Sequence, residues 1–210
     1  MLFVAVMLLF RSAVADWNHV PSGSMLPSIL IGDRIVVDKL AYDLRLPFTL
    51  WRLTSWREPQ RGDVVTFESP EDGILLVKRV IAVPGDVVSM QHNRLTINGV
   101  AAEYRPVPAA EAPVAVPPGY QLLRESVLGS ERLVLLHRHG GGPMDSFAPI
   151  RIPEGQFLML GDNRDDSRDS RFIGLVPRRN ILGQARAVAF SLDYDNYFAP
   201  RLDRFLTGLP

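Results

Sequence analysis

The chain has 210 residues, 47% of them hydrophobic and 22% charged, which is enough apolar material to bury a sizeable core and too little bias for a disordered chain. Lysine plus arginine and aspartate plus glutamate both total 23, so the formal net charge is zero and the basic footprint of a dedicated nucleic-acid binder is absent. The absence of cysteine excludes disulfides, thiolate metal sites and a cysteine nucleophile, and the 4 histidines leave few metal options.

The first ten residues, Met1 to Phe10, are an uninterrupted apolar run that stops at Arg11. A helix crossing a bilayer needs roughly 20 such residues. The run therefore reads first as part of a transmembrane helix, then as a secretory signal peptide or an interfacial anchor, and least as a buried helix of a soluble protein. Residues 1–16 are taken as a partial membrane anchor, with Arg11 to Trp17 as a membrane-exit stretch that ends on an aromatic suited to the headgroup layer.

From Arg34 onward the pattern turns to strands. Arg34-Ile-Val-Val-Asp38 and Asp63-Val-Val-Thr-Phe67 alternate, and Ile74-Leu-Leu-Val-Lys-Arg-Val-Ile81 is a longer run rich in branched residues. Turn signals at Pro59 to Gly62, Ser69 to Gly73 and Pro84-Gly85-Asp86 separate them, and Asn98-Gly99 is a hairpin signal. A mostly β protein is expected, with a catalytic core over residues 17–100 and 151–193. Residues 101–150, rich in Ala, Pro and Glu and broken by Gly140-Gly-Gly-Pro143, read as a variable insert hung on the sheet. The tail, 194–210, mixes aromatics, arginines and leucines, which suits a short amphipathic helix on a membrane surface or a cap on the core.

Three stretches can carry chemistry. Val20-Pro-Ser22-Gly-Ser24-Met-Leu-Pro27 brackets a glycine with serines between prolines, a rigid setting in which a hydroxyl and a backbone N–H can converge, as acyl transfer requires; an ordinary turn would look the same. A serine nucleophile needs a base. His19 has only proximity in its favour, so a Ser-His-Asp triad is unsupported. Lys78 is the better candidate, because desolvation in so apolar a strand favours the neutral amine, although a lysine that merely blunts an edge strand would share the pattern. Alternation places Lys78 and Arg79 on opposite faces. The loop 161–171 holds three arginines and four aspartates in eleven residues, an ion-paired scaffold more than a calcium loop, whose glycine and terminal glutamate are missing.

Taken together, Pro21-Ser-Gly-Ser-Met-x-Pro27, Ile31 to Val37, Arg61-Gly-Asp-Val-Val-x-Phe67, Lys78-Arg-Val-Ile-Ala-Val-Pro-Gly-Asp86 and Gly161-Asp-Asn-Arg-Asp-x-Ser-x-Asp-Ser-Arg171 with Gly174-x-Val-Pro177 resemble, in order, the boxes of the bacterial type I signal peptidases. Departures are Ile173 where the family commonly has Trp and Asp166 where it usually has Asn. The resemblance implies a signal-peptidase-like antiparallel β scaffold with a variable inserted subdomain and a membrane-anchor helix. It also implies a Ser-Lys endopeptidase that removes signal peptides of exported preproteins after Ala-x-Ala. No metal or cofactor is implied, nor a nucleic-acid partner. The lipid bilayer would be a partner, with the catalytic domain on the outer side of the bacterial cytoplasmic membrane. By resemblance Ser24 is the nucleophile, Lys78 the general base, the Ser24 N–H and the Ser22 hydroxyl the oxyanion hole, and Ser167 the positioner of the lysine. Asp162 would pair with Arg79, and Asp169 with Arg171. Val20, Pro21, Met25, Ile29, Leu76 and Val77 would shape the substrate pockets. A dedicated-substrate peptidase of the same superfamily and an inactive membrane-anchored β scaffold are the alternatives.

Overall fold

The computed structural model describes residues 15–46, 49, 51–142 and 144–209. The chain forms β1 (Ala15–His19), β2 (Asp33–Asp38), β3 (Asp43–Arg45), β4 (Arg52–Ser55), β5 (Val64–Glu68) and β6 (Leu75–Ala82). There follow β7 (Val87–Gln91), β8 (Arg94–Ile97), β9 (Val100–Ala101), β10 (Glu103–Pro106), β11 (Tyr120–Val127), β12 (Ser130–His137), β13 (Phe147–Arg151) and β14 (Gln156–Leu160). An α-helical turn, α1 (Ser170–Ile173), precedes β15 (Val176–Pro177), β16 (Ile181–Asp193), β17 (Ala199–Pro200) and β18 (Thr207–Gly208). The fold is mostly β, as the alternation predicts.

The main sheet runs β1-β2-β16-β5-β6-β14-β15, and the pairs are antiparallel. In β2, Asp33, Ile35 and Val37 are buried while the residues between them are half-buried, the two-residue period of a strand with one face on the core. The 13-residue β16 joins the β1–β2 side to the β5–β6 side, and its register slips against both neighbours, which bends the sheet. Gly183 sits at such a slip, where an added Cβ would lie 2.6 Å from the Asp38 carbonyl oxygen, so only glycine lets β2 come this close.

Three apolar clusters hold the layers. One joins Val65, Phe67, Val80, Phe157, Met159 and Ile181; a second joins Ile81, Val88, Leu95, Leu158 and Leu160; a third joins Val20, Met25, Ile29, Ile35, Val37 and Val64. The third cluster seats the serine loop on the main sheet.

Several expectations are corrected at this level. The anchor assigned to 1–16 falls almost wholly outside the described residues; its last two residues, Ala15 and Asp16, lie with Trp17 in β1, paired with Asp38, Val37 and Val36. Among the described residues no helix is long and apolar enough to cross a membrane. The tail forms no amphipathic helix: β17 and β18 pair back onto β16 around one 3₁₀ turn, Leu202–Arg204. Its arginines are spent internally, Arg201 donating to the Ile31 and Leu192 carbonyls and Arg204 bonding the buried Asp33 carboxylate and the Ser28 carbonyl. Residues 101–150 divide between two sheets. β10, β11 and β12 form one, while β13 pairs with β7 in another that also contains β8 and β9.

Candidate active site

Ser24 lies in the turn between β1 and β2, whose course is fixed by backbone bonds. Val20 donates to Asp33, Gly32 to Val20, Leu26 to the Gly23 carbonyl at 3.0 Å and Ile29 to Met25 at 2.9 Å. The last bond is one helical turn, and it directs Met25 and Ile29 together into the core, where both are fully buried. On the far side, β6 pairs with β5 so that Lys78 stands opposite Val65 and Arg79 opposite Val64. Because strand side chains alternate, the two cations leave the strand on opposite faces.

On the first face, the Lys78 Nζ is 2.6 Å from the Ser24 Oγ and 3.0 Å from the Val77 carbonyl. Ser24 and Lys78 are both buried. Burial penalises the ammonium and pushes the Lys78 pKa down to about 8, while the more distant Asp169 and Asp162 resist the shift without cancelling it. The Ser22 Oγ stands 3.5 Å from the Ser24 Oγ, at the outer limit of hydrogen bonding. Among the described residues nothing accepts the Ser24 N–H. A buried amine that can be neutral at moderate pH, in contact with a hydroxyl and near a free amide donor, has the chemistry to supply a base, a nucleophile and an oxyanion donor in one place.

On the second face, Arg79 is saturated. Its Nε and Nη2 hold Asp162 bidentately at 2.9 and 2.7 Å, its Nη1 donates to the Gly62 carbonyl at 2.8 Å, and Ser28 donates to the same Asp162 at 2.6 Å. Asp169 accepts from the Gly161 N–H at 3.0 Å and takes both arms of Arg171 at 2.8 Å, and it also caps α1 through the Arg171 N–H. The two pairs therefore tie the loop after β14 to β6 and to itself. Ser167 lines a neighbouring pocket together with Ser22, Ser24 and Lys78, but its buried hydroxyl makes no hydrogen bond among the described residues.

A cleft of about 160 Å³ opens beside Ser24, lined by Asn18, His19, Val20, Pro21, Ser22, Ile35, Thr66 and residues 74–78. Val20, Pro21, Leu76 and Val77 are thus on its wall. Met25 and Ile29, expected there, instead pack in the core beneath the serine loop. Ile35 and Thr66 were missed because nothing in the local pattern of β2 or β5 separates a pocket wall from ordinary core. His19 lines the cleft, but its Nε2 bonds the Tyr194 hydroxyl at 2.6 Å, which leaves that nitrogen no role towards Ser24.

Sequence reasoning also missed Glu125 and Arg164. Arg164, fully buried in the polar loop, holds Glu125 of β11 bidentately at 2.6 and 2.8 Å, and the Tyr104 hydroxyl donates to the same carboxylate at 2.6 Å. Burial would raise the Glu125 pKa, but Arg164 and Arg132 outweigh it and hold the group down to about 2. The cue available was an arginine in a glycine-started loop; its partner, in a segment taken for a variable insert, gave none.

Residues 1–190 match the family described as "Signal peptidase, peptidase S26". The chain is 36% identical over 198 residues to a signal peptidase I of Pseudomonas aeruginosa, with 89% of this chain and 68% of that protein covered. It is 34% identical over 203 residues to the signal peptidase I of Pseudomonas fluorescens, with the same shares covered. A solved signal peptidase I from Enterococcus faecalis aligns at 27% identity with a TM-score of 0.39, over 62% of this chain and 98% of that one. The chain belongs to the signal peptidase S26 family and is a serine endopeptidase.

Proposed function

We propose that this protein removes signal peptides from exported preproteins through a Ser24–Lys78 dyad, cutting after a small residue in an Ala-x-Ala context. The observation that carries the reading is the 2.6 Å contact between a buried lysine and a buried serine hydroxyl at the end of a small apolar cleft. Neutral Lys78 takes the Ser24 proton as the oxygen attacks the scissile carbonyl. The Ser24 N–H and the Ser22 hydroxyl stabilise the oxyanion, and the lysine returns the proton to the leaving amine. Water activated by the same amine then hydrolyses the acyl-enzyme. Ser167 would steady the amine once substrate is bound, and the Arg79–Asp162 and Asp169–Arg171 pairs hold the loop that faces it.

Substrate fits as an added strand. The pairing of β14 with β6 begins at Arg79, so the edge of residues 75–78 on that side is free of a strand partner among the described residues, and the segment before Ser24 faces it across the cleft. The cleft of about 160 Å³ suits alanine-sized side chains, and larger ones would clash with Val20, Leu76 and Val77. The family relationship supports a membrane-bound enzyme whose catalytic domain faces outward from the bacterial cytoplasmic membrane, with the bilayer as partner.

The test is cleavage of a fluorogenic peptide that places Ala-x-Ala before the scissile bond, by wild type, Ser24→Ala and Lys78→Met in detergent, with product masses recorded. Cleavage after the second alanine by wild type alone is the expected outcome. Equal cleavage by either variant would overturn the dyad.

A further inference from the structure

Asn163 stands next to the nucleophile without touching the proposed reacting atoms. Its backbone N–H donates to the Ser24 carbonyl at 3.1 Å, and its side-chain Nδ2 donates to the Gly23 carbonyl, also at 3.1 Å. These two carbonyls belong to the peptide units on either side of the Ser24 Cα. In a planar trans peptide the C=O and the N–H point in opposite directions, so whatever fixes the Gly23 carbonyl also fixes the direction of the Ser24 N–H. That N–H has no acceptor among the described residues. The Leu26 N–H donates to the same Gly23 carbonyl at 3.0 Å from within the turn, and from this geometry we infer that Asn163, the second donor and the one from outside the turn, is a positioning residue that helps aim the Ser24 N–H at the developing oxyanion.

Asn163 is itself held firmly enough to do this. The Leu135 N–H donates to the Asp162 carbonyl at 2.9 Å and the Arg164 N–H to the Leu135 carbonyl at 3.0 Å, which locks both neighbours of Asn163 onto β12. Asp162 is tied to Arg79 and Arg164 to Glu125, each by two hydrogen bonds between groups that are almost wholly buried. Gly161 removes the remaining obstacle, because a Cβ there would overlap the Ser24 carbonyl oxygen and the Ser167 hydroxyl. The loop can therefore lie flat against the Gly23–Ser24 peptides. Residues of the segment 101–150 thus reach the proposed oxyanion donor through a short chain of contacts: Glu125 and Leu135, then Arg164 and Asp162, then Asn163.

The inference rests on Ser24 being the nucleophile, and the experiment separates the two. Asn163→Asp, nearly isosteric, replaces the donor by a carboxylate oxygen that repels the Gly23 carbonyl, and Asn163→Ala removes the donor outright. Loss of a direct oxyanion donor costs roughly 100- to 1000-fold in kcat, and loss of its aim should cost less. With the same fluorogenic peptide, both variants are expected to lose about 10- to 100-fold in kcat, with KM within about threefold of wild type and an unchanged apparent pKa of the rate, because the Lys78–Ser24 contact is untouched. A kcat within threefold of wild type, a loss carried mainly by KM, a displaced apparent pKa, or variants that fail to fold would each overturn the inference and leave Asn163 a merely structural residue. Ser24→Ala run alongside decides the underlying reading: if it still turns over, the nucleophile assignment fails, whereas an inactive Ser24→Ala with unaffected Asn163 variants sinks only the positioning role.

Discussion

Lys78 and Arg79 are consecutive residues of one strand, almost equally buried, and they meet opposite fates. Arg79 faces a carboxylate placed to receive both arms of its guanidinium, a backbone carbonyl and a serine hydroxyl, so its charge is compensated where it lies. Lys78 faces one hydroxyl and its own neighbour's carbonyl, no carboxylate touches it, and its affinity for a proton falls. Burial alone therefore does not make a base; burial without a counter-ion does. The fold achieves the difference cheaply, by alternation along β6 and by placing Asp162 on one side of the strand only.

The largest expected effect comes from making the two cations alike. Lys78→Arg puts a group that cannot lose its proton against Ser24 and should abolish turnover in the fluorogenic assay; activity within tenfold of wild type would mean that the amine is not the base. Next, Asp162→Asn should strip Arg79 of its counter-ion and lower stability by about 3–5 kcal/mol, since a buried cation is left uncompensated. Thermal or urea unfolding reads this directly, and a change below 1 kcal/mol would show that the carboxylate is not what keeps Arg79 buried.

A subtler consequence is pH dependence. Under the proposed dyad the active form is the neutral amine, so the rate should climb with pH and reach half its plateau near pH 8. The sign for stability is the same. An unfolded lysine keeps its proton up to about 10.4, so between about 8 and that value the unfolded chain binds the extra proton and stability rises with pH. Below the folded value the burial penalty applies in full, and Lys78→Met should therefore melt higher than wild type at neutral pH. A rate profile flat from pH 5 to 9 would contradict the first, and a Lys78→Met melting temperature at or below that of wild type at pH 7 the second. The smallest effect belongs to an exposed pair: Arg168 bonds Glu71 and Asp72 at the surface, and Arg168→Ala should leave the melting temperature within about a degree.

Much of this contrast is legible in the chain, for a physical reason. A strand's period is two, so adjacent cations in an apolar run must diverge, and dense aspartates and arginines in one loop must pair because they cannot all be solvated between two core strands. What the residues alone do not disclose is pairing across long separations. Glu125 and Arg164 lie in segments whose local patterns say nothing of each other, and only the packing of β11 and β12 against the polar loop brings them together. Met25 and Ile29 illustrate a different gap. Their apolar character suits a pocket or a core equally, and one backbone bond between them, made in the folded turn, sends both inward. In the tail the composition suits a helix, but β17 and β18 pair with β16, and Arg201 and Arg204 bond backbone carbonyls and Asp33.

The Glu125 carboxylate carries one more implication. Held down to about 2 by Arg164 and Arg132, against an unfolded value near 4.5, it contributes stability that is fully present above about pH 4.5 and is lost progressively as the pH falls from there through about 2. Lys78, held at about 8, takes up its proton far earlier on the way down. Between about pH 4.5 and the value near 8 at which Lys78 loses its proton, the Glu125 contribution to stability is therefore intact while the amine is charged, so on the proposed mechanism acid would silence the dyad before it loosens this mooring.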